Sequence, residues 1–151
     1  MLQTASIGIF NRQKARKVPL PWLRRLAKAA LPLCLEAAKP GPLCVLTRLE
    51  EIEISLITDK EIARVHGEFL NDPTPTDVIT FHHGEILISA DTAARQAREN
   101  KQPFHHETGL YIIHGMLHLA GWDDHDRKEA RQMARVQQGI LDEILKQRPA
   151  R

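Results

Sequence analysis

The run from Leu110 to Leu119 most constrains what this chain can fold into. Read as a helix, it carries Leu110, Ile112, Ile113, Met116, Leu117 and Leu119 and almost no polar face. A helix that is apolar nearly all round must be enclosed by other elements. We expect it to run from about His105 to Ala120. Two histidines, His114 and His118, interrupt it. A helix advances about 100° per residue, so both project from one face, one turn apart. Two imidazoles so placed can grip one divalent ion, and each is costly to bury without a partner.

Gly121 follows, at a point where a helix can end in the left-handed conformation that glycine tolerates. A third ligand can then return toward the pair. In the zinc pattern His-x-x-x-His-x-x-Gly-x-x-His, that ligand falls three residues after the glycine. Asp124 holds the position here, and His125 is next. Carboxylate oxygen and imidazole nitrogen both bind zinc, so chemistry leaves both open, while spacing favours Asp124. An imidazole-rich site of three ligands suits one Zn2+ ion, with a fourth position open to water. Metal-bound water is acidified toward pKa ~7, which marks a catalytic site. The residue after His114 is Gly115, where a His-Glu-x-x-His peptidase carries its general base. That argues against a peptidase of this type.

The 151 residues fit a single domain over residues 1–151, with 42% apolar and 26% charged residues, as in ordinary globular proteins. The net charge of +2 is unevenly spread. Residues 1–35 hold Arg12, Lys14, Arg16, Lys17, Arg24, Arg25 and Lys28 and no acidic residue. This is either a solvated basic face or a footprint for an anionic partner such as nucleic acid. Cys34 and Cys44 form no disulfide framework and are expected as free, buried thiols. No stretch approaches the ~18 apolar residues that span a bilayer, and no early segment has a signal peptide's order. We therefore expect a cytoplasmic protein with no membrane partner. Nothing in the sequence bears on oligomeric state.

Elsewhere, Ile7 and Ile9 predict a short strand. A helix opens at Leu20-Pro21-Trp22, with Pro32 expected to kink or shorten it. Leu43 to Leu46 and Ile52 to Leu56 read as strands. Thr58-Asp59-Lys60-Glu61 has capping-box spacing ahead of a helix bearing Ile62, Val65 and Phe69. A stiff loop with two prolines spans 71–76. Val78 to Phe81 and Glu85 to Ile88 flank a hairpin turn, and Ser89 caps a helix to about Glu99. The last helix is expected from about Asp126 to Lys146, with Ala130, Met133, Ala134, Gln137, Ile140, Leu141 and Ile144 on one side. Strands early and helices late predict an α+β fold: a small mixed β-sheet covered by helices, with a buried metal-binding helix.

The stretch HGMLHLAGWDDHD resembles the His-Gly-x-Leu-His-Leu-x-Gly-Tyr-Asp-His motif of the YbeY endoribonucleases, also called rRNA maturation factors. PTDVITF, Pro75 to Phe81, is similar to that family's Pro-Thr-(Asp/Asn)-Val-Leu-Ser-Phe. GEILIS is similar to its Gly-Asp-Ile-x-Ile-(Ser/Cys), and ISLITDKEIARVHGEF to the segment before the proline loop. The resemblance covers roughly residues 51–145. It implies an α+β fold with a three-ligand metal, usually assigned as zinc. It also implies a metal-dependent endoribonuclease on single-stranded RNA, in 16S rRNA 3′-end maturation and ribosome quality control. The implied partners are rRNA and the small ribosomal subunit.

Two departures stand out. The family's third histidine aligns with Asp124, leaving His125 one position late. Its Tyr-Arg before the proline loop is Phe69-Leu70 here, and leucine lacks the charged planar fork that grips phosphate. The basic N-terminal region, including Arg24 and Arg25, is the candidate replacement, and Thr76 and Asp77 either line the RNA groove or make a cap or turn bond that fixes the proline loop. Candidate proton shuttles are Asp123, whichever of Asp124 and His125 does not ligate, and the hairpin residues His82 and His83. The alternatives are that Asp123 orients a ligand and that His82 and His83 form a polar turn facing water. His66 is expected at the surface and His105 and His106 at an exposed helix start. Two other readings are an rRNA- or ribosome-binding assembly factor with a structural metal, and a metal-dependent hydrolase of another substrate.

Overall fold

The structure, a computed structural model, describes residues 4–72, 74 and 76–147. Pro73 and Pro75 of the expected proline loop, and so the first residue of PTDVITF, lie outside the described residues. The elements run β1 (Ser6–Asn11), α1 (Leu20–Glu36), β2 (Glu51–Ile57), α2 (Asp59–Leu70), β3 (Val78–Phe81), β4 (Glu85–Ser89), α3 (Ala90–Glu99), α4 (Phe104–Leu119) and α5 (Arg127–Gln147). The sheet order is β1-β2-β4-β3, with β3 antiparallel to β4 and the other pairs parallel. This is the mixed sheet and α+β class expected.

Strand alternation sorts the helices onto two faces. Ile52, Ile54 and Leu56 of β2 stand beside Ile86 and Ile88 of β4 in register. These join the main core with residues of α1, α4 and α5. Ile57, Ile79 and Leu87 lie on the other face, in a smaller cluster closed by Ile62 and Val65 of α2. The expected enclosed helix is α4: Ile112, Ile113, Met116, Leu117 and Leu119 are all fully buried. Each such side chain contributes about 1.5–3 kcal/mol relative to exposure. Gly115 lets this helix approach the sheet, because a Cβ there would lie 2.8 Å from Ile86 side-chain atoms. A glutamate has no room at that position.

Three expectations are corrected. Leu43 to Leu46 is not a strand: it offers one isolated bridge, Cys44 to Ala120. Its backbone is used otherwise, since the N–H groups of Val45 and Leu46 both donate to the Leu119 carbonyl. The segment thus satisfies the end of α4, whose last carbonyls have no partner within the helix. Of the two effects expected of Pro32, shortening is absent: α1 continues four residues beyond it to Glu36. His105 and His106 are partly buried, packed against Trp22 at ring distances of 4.6 and 5.8 Å.

Thr58 and Ser89 both cap their helices as expected, while the Glu61 side chain pairs with Arg64 and the capping box is only half formed. Thr58 accepts from the Glu61 N–H and Ser89 from the Thr92 N–H. Cys34 and Cys44 are free and buried. Ser89 also donates to Asp59, which bonds Thr92 and Arg95 as well. This network ties the start of α2 to the start of α3. Burial alone would raise the Asp59 pKa, but the bonds from Arg95, Ser89 and Thr92 outweigh it and hold the carboxyl below its ordinary value. The unfolded chain therefore binds this proton more readily than the folded one. The stabilisation is complete above the ordinary aspartate pKa of about 3.9 and is lost as pH falls through the lower folded value. Denaturation midpoints measured from pH 6 down to pH 3 are expected to fall for the wild type. Asp59→Asn should be less stable at pH 6 and show a shallower fall; identical slopes would contradict this role.

Candidate metal centre

The site is built by the way α4 ends. Gly121 has φ +98°. The Gly121 N–H donates to the His118 carbonyl and the Trp122 N–H to the Leu117 carbonyl. These two bonds form a Schellman closure. A side chain at 121 would be strained by that φ, and its Cβ would stand 2.5 Å from the Lys39 carbonyl oxygen. Trp122 then anchors the returning chain: its indole N–H donates to the Ala37 carbonyl at 2.8 Å, and Lys39 lies over its ring.

This reversal delivers Asp124 to the histidine pair. Its Oδ2 lies 3.6 Å from the Nε2 of both His114 and His118, and the two Nε2 atoms are 3.1 Å apart. His125 points elsewhere. Its side chain is 87% exposed, with Nε2 3.1 Å from Asp123 Oδ2. Asp123 Oδ1 accepts from the Asp124 N–H at 2.8 Å, so Asp123 braces the turn that presents Asp124. Among the described residues, His114, His118 and Asp124 form the group of donors that could hold a metal ion.

The hydrogen bonds around the rings fit such an ion. His118 Nδ1 is 3.1 Å from the Trp122 carbonyl oxygen, and His114 Nδ1 is 2.7 Å from Gln137 Oε1. Both partners only accept, so each neutral ring carries its proton on Nδ1 and turns a bare Nε2 lone pair inward. Two lone pairs facing each other repel unless a cation or proton lies between them. A point about 2.0 Å from all three donor atoms exists within this triangle, matching zinc–imidazole and zinc–carboxylate bond lengths. Desolvation, and then the charge of His114, lowers the His118 pKa, against the opposing pull of Asp124. The ring is therefore held neutral, as a ligand must be.

Beside this group lies a cavity of about 500 Å³, lined by Thr76, Asp77, Arg95, Glu107, Tyr111 and Gln137 among others. Thr76 and Asp77 thus line a cavity that reaches Gln137, the hydrogen-bond partner of His114. Burial raises the Tyr111 pKa, with Glu107 and Asp77 adding to it, which keeps the phenol protonated. Arg24 and Arg25 are not among the lining residues. Arg24 donates to the Ile9 carbonyl and Arg25 is exposed on α1. His82 and His83 sit in an exposed turn, with His83 beside Glu85. His66 is partly buried, its Nδ1 2.8 Å from the Thr74 carbonyl oxygen. Leu70 is exposed, as is Phe69, whose ring meets the Phe81 ring edge-on. Sequence reasoning placed Gln137 on the inner side of α5 but missed its contact with His114. A polar residue in an otherwise apolar stripe was the available signal.

Comparison with known proteins agrees with this geometry. The family model described as Endoribonuclease YbeY matches residues 8–145. The protein named Endoribonuclease YbeY from Syntrophotalea carbinolica is 34% identical over 145 residues, 84% of this chain and 87% of its own length. The one from Geobacter metallireducens is 32% identical over 151 aligned positions, covering 89% and 93%. The solution structure of TM1509 from Thermotoga maritima superposes with a TM-score of 0.61 at 25% identity, covering 92% of this chain and 89% of that one. With the fold, the histidine helix and these matches in agreement, the chain belongs to the YbeY family.

Proposed function

We propose that the chain is a zinc-dependent endoribonuclease that cuts single-stranded RNA and acts in 16S rRNA 3′-end maturation and ribosome quality control. The observation that carries this reading is the convergence of two Nε2 atoms and the Asp124 carboxylate in a member of an endoribonuclease family. His114, His118 and Asp124 are the proposed ligands of one ion. A zinc ion held there would polarise a phosphoryl oxygen and acidify a water. Asp124 stands on the solvent side of the group, with 43% of its side chain exposed. That leaves room for a substrate, where a structural site would be closed by a fourth protein ligand.

The remaining roles fall to the turn and the cavity. His125 Nε2 lies 3.1 Å from Asp123 Oδ2; a proton held on Nε2 by that carboxylate would leave His125 Nδ1 as a base at the solvent edge. A carboxylate orienting an imidazole is a recurrent way to prepare a proton acceptor. The cavity beside His114 takes the strand next to the cut, with Thr76 and Asp77 on its wall. Asp77 and Glu107 make that wall partly acidic, and its cation, Arg95, is bound to Asp59. We assign attraction for the RNA backbone to the basic N-terminal region, Arg24 and Arg25 included, which holds no acidic residue before Glu36. We place the protein in the cytoplasm, acting on the small ribosomal subunit as a single domain over residues 1–151.

Two experiments test this reading. Metal content should fall from about one ion per chain toward none in Asp124→Ala and remain in His125→Ala. The reverse pattern would assign the third ligand to His125. Wild-type protein should cut a single-stranded RNA bearing a 16S 3′ sequence, a chelator should stop it, and added zinc should restore it. The His114→Ala, His118→Ala double variant should cut at background. Equal cutting by wild type and double variant would refute the nuclease assignment; a zinc-loaded wild type that cuts nothing would favour an assembly role.

A further inference from the structure

Gln137 projects from α5 on the side that also buries Met133, Ile140 and Leu141. Three- and four-residue offsets place it within that apolar stripe, yet it is an amide. Its Oε1 lies 2.7 Å from His114 Nδ1. An amide oxygen only accepts, so this contact demands the proton on Nδ1 and frees Nε2. A neutral imidazole in water prefers the opposite arrangement, with its proton on Nε2. Left alone, His114 would thus tend to cover the atom that faces His118 and Asp124.

The two rings differ in how this is done. His118 Nδ1 meets a backbone carbonyl, that of Trp122, which the end of α4 fixes in place. Among the described residues His114 has no such backbone partner, and its Nδ1 meets a side chain from another helix. Gln137 also lines the cavity of about 500 Å³ beside the centre. It therefore touches both that cavity and a donor ring.

We propose that Gln137 is a positioning residue for the metal centre: it sets the tautomer and orientation of His114 so that Nε2 is presented to the ion. This rests on the metal-centre reading above. Partners of this kind typically govern metal affinity by about 10- to 100-fold. A carboxylate also only accepts, so glutamate at 137 preserves the function, whereas an apolar side chain removes it.

The test uses full-length protein stripped of metal, with zinc affinity measured by competition against a chromophoric chelator. The ring tautomers are read by 15N NMR of the histidines. Gln137→Leu should bind zinc about 10- to 100-fold more weakly, and the His114 signal should move toward the Nε2–H form. Gln137→Glu should restore both, which mere packing at this position would not do. Gln137→Met serves as a second apolar variant should Gln137→Leu fold poorly. Wild-type affinity and an unchanged His114 tautomer in the apolar variants would overturn the proposal while leaving the metal centre intact. A wild type that takes up no zinc would instead overturn the metal centre itself.

Discussion

The burial of α4 against the sheet is the constraint on which the rest of the structure depends. Ile112, Ile113, Met116, Leu117 and Leu119 are fully buried, and Gly115 brings the helix axis close to Ile86. Adding even a methyl group at such a contact typically costs about 1–3 kcal/mol. This closeness fixes which residues can face outward, and only His114 and His118 interrupt the apolar surface near its end. It also removes the position at which a His-Glu-x-x-His peptidase keeps its base. The divergence from that chemistry is therefore a packing consequence as well as a difference in sequence.

The end of the same helix supplies the rest of the proposed centre. The Schellman closure at Gly121 turns the chain, Trp122 anchors it, and segment 39–46 covers the exposed carbonyls of Leu119 and Ala120. A helix end left buried without partners would be unstable, so these bonds and the presentation of Asp124 form one unit. The carbonyl of Trp122 serves a second purpose by holding the His118 ring. Stability and proposed chemistry thus share the same few atoms. The network of Ser89, Asp59, Thr92 and Arg95 ties α2 to α3, and Thr92 and Arg95 of that network also line the cavity.

Much of this was legible in the sequence because it depends on local spacing. The four-residue interval of the histidines, the glycine three residues later and the position of Asp124 all lie within one short stretch. Caps at Thr58 and Ser89, and the hairpin between β3 and β4, are equally local. The features that escaped are tertiary. Leu43 to Leu46 has the composition of a strand, but its N–H groups are taken by a helix end distant in sequence. Gln137 meets His114 only because α5 packs on α4, and the aromatic contact of His105 and His106 requires Trp22 from α1. Thr76 and Asp77 were read from a motif, but the cavity they line is formed jointly by α3, α4 and α5.

The central claim is that one ion sits between His114 Nε2, His118 Nε2 and an Asp124 carboxylate oxygen. Anomalous diffraction from crystals of the zinc-loaded protein tests it most directly. The account predicts one anomalous peak within about 2.0–2.2 Å of those three atoms, with His125 still turned toward Asp123. A peak coordinated by the His125 ring in place of Asp124, or one lying away from α4 altogether, would contradict it.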